Sequence, residues 1–258
     1  MTEDLLALAD WVQGWLLLGF IVFLRVGAAM ALLPAFGERS VPARVRLMLA
    51  IGFTVVVLPA AGTLIQPTIA ALARPGTMVI TEAIAGLAIG GVIRLFFLVL
   101  QIAGSMAAQA TSLAQIFGGQ NADPQPAMGH VLFIGGLALA VMLGLHVRFA
   151  EILILSYDVW PAGQLPGGEI LSAWGLSQVA RVFGLALTLA APFLVASLVY
   201  NVALGVINRA MPQLMVAFVG APAITVGGLV LLFLTAPLLL GVWQTALTAV
   251  LNDPFGVP

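Results

Sequence analysis

Six long apolar runs, Trp11–Leu33, Val45–Ile65, Thr77–Ile116, His130–Tyr157, Val179–Ile207 and Leu214–Val250, dictate what this chain can fold into. A transmembrane helix takes about 20 consecutive apolar residues, whereas a membrane β-strand takes about 10 in alternation. The runs are continuous and long, so they are of the helical kind. The material for a water-facing skin is missing as well. Only 7% of the 258 residues are charged and 62% are hydrophobic, against about 25% and 45–50% in soluble domains. The expectation is an all-α, polytopic membrane protein with about six apolar helical segments in a single membrane domain.

Two runs are longer than a bilayer needs. The third and the sixth must tilt, project beyond the hydrocarbon or break. Gly220, Pro222, Gly227-Gly228 and Pro237 predict that the sixth breaks into two short helices. Orientation follows the basic residues at span ends. Every base is an arginine, and Arg39, Arg44 and Arg46 cluster in the connection Pro34–Arg46, whereas the first ten residues carry acids only. That connection is therefore assigned to the cytoplasm and the N-terminus to the outside. Six crossings then put Asn208-Arg209 in the cytoplasm and the acidic tail outside, with Arg74 as a mild violation. The acidic start lacks the positive region of a cleavable signal peptide, so the first run is expected to stay in the protein.

Composition excludes several function classes. A net charge of −1 speaks against nucleic-acid binding, and the absence of cysteine removes disulfides, thiol catalysis and cysteine metal sites. No phosphate loop, zinc-protease motif or dinucleotide fingerprint occurs, and Gly104-Ser105-Met106 lacks the second glycine of a hydrolase elbow. Neither His130 nor His146 has a partner at metal-ligand spacing. No cofactor and no enzymatic activity are expected.

Polar residues within the apolar runs carry the remaining signal. On a helix at 100° per residue, Gln101, Ser105, Gln109, Ser112 and Gln115 fall within about 60° of Arg94. Such a stripe lines an aqueous passage or forms a polar seam between helices, and the pattern leaves both open. It runs into Phe117–Gly129, a stretch rich in glycine, proline and amides. This is either a surface loop or an occluding, re-entrant one. In the fourth run His146, Arg148 and Glu151 sit together, where an intrahelical Arg148–Glu151 ion pair is favoured over a proton relay because Tyr157, Asp158 and Trp160 follow as an interface-like cluster. Gly86, Gly90 and Gly91 offer a small face to another helix.

Two stretches go further. Arg25, Pro34, Phe36, Gly37, Pro42 and Arg44 lie in a segment that resembles the N-terminal signature of the FliR family of flagellar export proteins. Asn208, Arg209, Pro212, Gln213, Gly220 and Pro222 form a pattern similar to one in the later part of that family. The resemblance implies a non-enzymatic subunit of the flagellar type III protein export gate, needed for flagellum assembly. It implies a FliP-like part over 1–175 and a FliQ-like helical hairpin over 176–258, assembled with FliP-like and FliQ-like subunits into a helical pore for unfolded flagellar proteins. By this analogy Phe117, Gly118, Gly119, Gln120, Asn121, Asp123 and Pro124 form a pore plug, and the stripe faces the passage or a neighbouring subunit. FlhB-like and FlhA-like export proteins and membrane lipid are the further implied partners, at the basal body in the bacterial inner membrane. A virulence-type injectisome subunit is the alternative, and a small-solute secondary transporter a more distant one.

Overall fold

The computed structural model describes residues 2–38, 41–71, 75–112, 127–165, 167–211 and 216–256. These form seven helices: α1 (Thr2–Leu32), α2 (Ala43–Ala71), α3 (Pro75–Ser112), α4 (Ala127–Met142), α5 (Leu145–Val159), α6 (Gly168–Ala210) and α7 (Val216–Asn252). No strand occurs among the described residues. Five helices are long and apolar enough to cross a bilayer, or six if α4 and α5 make one bent span.

Local chemistry sets several helix ends. Glu3 and Asp4 in the first turn of α1 suit the positive end of the helix dipole, as Glu169 does in α6. Pro75 opens α3, where its missing N–H costs nothing. Pro34 follows the end of α1, and Ala35 adopts a left-handed φ of 69° there. Gly37 sits so close to that end that a Cβ would lie 2.5 Å from the carbonyl oxygen of Ala31.

Two expectations about breaks are corrected. The sixth run does not divide, because α7 runs unbroken from Val216 to Asn252 with Pro222 and Pro237 inside it. Each proline removes one hydrogen bond, whereas ending a helix in an apolar medium strands several backbone groups at several kcal/mol each, as an order of magnitude. The fourth run breaks instead. Gly144, with φ 76° and ψ 36°, separates α4 from α5 in a left-handed geometry that a side chain disfavours. α6 also starts well before the apolar run that announced it, since the stretch from Gly168 mixes polar and apolar residues on a helical period.

The chain forms two compact units. The first contains α1, α2, α3 up to Leu95, α5, α6 up to Gln178 and the segment from Val250. Its core holds Val22, Val26 and Met30 of α1, Ala85 and Ile89 of α3, and Phe149 and Leu153 of α5. Gly86 and Gly90 lie against α1, where a methyl group on either would collide with the carbonyl oxygen of Arg25 or Ala29. Gly91 has room. The partner of the small face is therefore α1.

The second unit contains α3 from Phe96, α4, and α6 and α7 between Val179 and Ala249. Gly104 of α3 meets the backbone of Gly129 of α4 in a second close crossing. Trp243 is fully buried, donates from Nε1 to the carbonyl of Phe96 at 2.7 Å and packs edge-on against Phe97. Ser197 of α6 donates to the carbonyl of Ala110 at 2.5 Å, and Tyr200 to that of Gly220 at 2.8 Å.

Candidate functional site

The most concentrated chemistry in the described residues is a buried charge cluster in the first unit. Arg25 and Glu82 are both fully buried and form a two-pronged pair, Nε to Oε2 at 2.8 Å and Nη2 to Oε1 at 3.1 Å. The planar guanidinium fits a carboxylate in this way, and a lysine would not. Nη1 donates to Ser156 Oγ at 2.9 Å and Nη2 to the carbonyl of Trp160 at 2.9 Å. The guanidinium carbon also lies 3.7 Å from the centre of the Tyr157 ring, a cation–π contact. Glu82 Oε1 accepts the backbone N–H of Gly163 at 3.0 Å.

The close approach at Gly86 and Gly90 makes this pairing possible, because Glu82 is one helical turn before Gly86 and Arg25 lies on the facing stretch of α1. The cluster thereby ties together α1, α3, α5 and the turn after α5. Chemically it clamps. Ser156 spends its proton on the carbonyl of Leu153 at 2.6 Å rather than presenting it to a base, and both carboxylate oxygens of Glu82 are occupied. No group of three or more histidine or acidic side chains suited to a metal occurs among the described residues.

A second polar group forms around the connection after α1. Arg46 donates to the carbonyls of Glu38 at 3.0 Å and Val41 at 3.2 Å. Arg94 reaches the carbonyl of Leu32 at 3.4 Å and lies 3.7 Å from Glu38, with both side chains about one third exposed. A cation at the last carbonyls of α1 also meets the negative end of its dipole. Phe36 packs edge-on against Phe53, which in turn meets Phe149. Pro34 is buried, while Pro42 and Arg44 are exposed.

The residues singled out in the sequence have separate fates. Arg25, which entered as a motif position, is the centre of the buried cluster. Arg94 joins the connection after α1, whereas Gln101 and Ser105 are half-buried and Gln109 is exposed in the second unit. No described residue hydrogen-bonds the side chains of these last three. The side chain of Ser112, together with Gln115, Pro212, Gln213 and the stretch Phe117–Pro124, lies outside the described residues. Asn208 and Arg209 are exposed in the last turn of α6, and Pro222 is exposed within α7. Arg148 and Glu151 do pair at 2.8 Å across one turn, both about half exposed. Of Tyr157, Asp158 and Trp160, Asp158 is exposed while Tyr157 and Trp160 are buried within the protein, under Arg25 and the aromatic residues Trp174 and Phe255 respectively.

Glu82 was missed by the sequence reading, and a signal for it existed. It is a lone acid in an apolar run, and Arg25 is a lone base in another; ionisable residues inside membrane segments almost always have a partner. Their separation of 57 positions hides the pairing from any local pattern.

Known proteins match this sequence. Residues 16–250 match the family model for bacterial export proteins, family 1. The chain is 34% identical over 225 residues to the flagellar biosynthetic protein FliR of Caulobacter vibrioides, covering 86% of this chain and 90% of the relative. It is 27% identical to FliR of Escherichia coli, covering 89% and 88%, and 25% identical to FliR of Bacillus subtilis, covering 78% and 79%. With its apolar helices and with both motif stretches inside the matched region, the chain belongs to the FliR family of bacterial export proteins and is a multi-pass inner-membrane component of the flagellar export apparatus.

Proposed function

We propose that the chain is a non-enzymatic subunit of the flagellar export gate, joining FliP-like and FliQ-like subunits in the pore through which unfolded flagellar proteins leave the cytoplasm. Family membership over nearly the whole chain carries this reading. The outward faces of the helices support it. Of the five long helices, α7 has only 22% of its most apolar stretch buried within the chain, and α3 has 56%. Val226, Val230, Phe233 and Leu234 are exposed along α7, as are Leu198, Val202 and Val206 along α6. A lipid or a partner subunit must cover them. α6 would extend about 65 Å at 1.5 Å per residue, roughly twice a 30 Å hydrocarbon core. A helix of that length suits contact with protein beyond the bilayer.

In this reading 1–175 is the FliP-like part and 176–258 the FliQ-like hairpin. Gln101, Ser105 and Gln109, without hydrogen-bond partners among the described residues, face the passage or a neighbouring subunit. Phe117–Pro124 supplies the plug, a sequence of small and amide residues of the kind a gate between two states can use, while the last residues of the expected loop, Ala127–Gly129, belong to α4 instead. Exposed Asn208 and Arg209 are available to contact an FlhB-like export protein or to hold the helix pair closed. The three relatives named above are flagellar, which favours a flagellar role over an injectisome one. Extraction in mild detergent should recover the chain with FliP-like and FliQ-like proteins. Recovery as a monomer that transports a small solute would overturn the assignment.

A further inference from the structure

The segment after α7 folds back into the first unit. Trp174 of α6 donates from Nε1 to the carbonyl of Pro254 at 3.2 Å. Phe255 packs edge-on against Trp160 with ring centres 4.9 Å apart, and Trp160 packs edge-on against Trp174 at 5.5 Å. The turn that aims Phe255 is closed locally, since the N–H of Gly256 donates to Asp253 Oδ1 at 2.9 Å. An apolar groove in the same unit is lined by Val92 and Ile93 of α3, Ile152 of α5, Trp174 of α6, Leu251 of α7 and Phe255 after it. Val92, Ile93 and Ile152 are buried in the structure. The carbonyl of Trp160 is at the same time an acceptor for Arg25. The charge cluster and the aromatic cluster thus share one residue.

We propose that Asp253–Gly256 is a clasp that closes the first unit. Part of the groove is made from α3 and α5, which precede α6 in the chain, but the rest comes from Trp174 of α6, from Val250 and Leu251 at the end of α7, and from Pro254 and Phe255 after it. The unit therefore cannot shut until all seven helices have been made. Until then the face of Trp160 that Phe255 covers and the groove stand open. This goes beyond an export role and does not rest on it, because it concerns how the purified chain holds itself together.

The chain's lack of cysteine gives a clean background for a test. Val92→Cys places a thiol in the groove, and Val99→Cys places a control thiol on the same helix in the core of the second unit, where Val99 is fully buried. Alkylation by N-ethylmaleimide is followed in mild detergent for the full chain, for a chain ended at Asn252, and for Phe255→Ala and Phe255→Leu variants. Labelling at position 92 should rise about tenfold or more on truncation and in Phe255→Ala, and return toward the full-chain rate in Phe255→Leu, while position 99 stays protected throughout. If the truncated chain is not recovered, the two Phe255 variants decide the matter alone. Unchanged labelling at position 92, or a joint rise at 92 and 99, would overturn the clasp.

Discussion

At Arg25 and Glu82 a single substitution decides whether a buried charge is compensated. Glu82→Ala strands a guanidinium that four hydrogen bonds and a tyrosine face now satisfy. Breaking one side of such a pair costs about 3–5 kcal/mol, whereas replacing both partners by apolar side chains of similar size is often nearly neutral. Glu82→Ala and Arg25→Met should therefore each lower the thermal midpoint of the detergent-solubilised protein strongly, and Arg25→Met with Glu82→Leu should recover much of the loss. A double variant as unstable as the sum of the singles would show that the two residues act independently. The exposed Arg148–Glu151 pair offers the contrast. Glu151→Gln should shift stability by less than about 1 kcal/mol, because solvent screens both charges.

Helices cross closely where glycine removes the side chain, and the two adjacent glycines of α3 separate this effect from helix propensity. Gly90 presses on the backbone of Ala29, while Gly91 meets only the end of the Leu32 side chain at 3.8 Å. Both valine substitutions change the intrinsic preference of α3 alike, so their difference isolates the crossing. Gly90→Val should destabilise by about 1–3 kcal/mol more than Gly91→Val, read from paired melting curves in one detergent. The small face was legible in the spacing of Gly86 and Gly90, but its partner was not, since any helix could have filled it. The breaks show the same limit. Pro222 and Pro237 announced an interruption that the apolar surroundings override, and Gly144 gave one that no neighbouring proline announced.

For the whole molecule, the proposed gate role turns on what covers the outward apolar faces and on the proposed plug, Phe117–Pro124. Deleting Gly118–Asn121 should make membranes that carry the assembled complex leak ions or small molecules when no flagellum is being built. Membrane conductance equal to that of the intact protein would sink the plug assignment. The sequence by itself determined the solvent, the helical class and the family, because each of these follows from composition or from residues close together along the chain. Only the tertiary structure decided that Arg25 answers Glu82, that α1 fills the small face of α3, that the fourth run breaks at Gly144, and that Phe255 covers Trp160. A residue's own chemistry states that it needs a partner. Which partner it finds depends on contacts tens to more than a hundred positions away, and those are fixed by how whole helices pack.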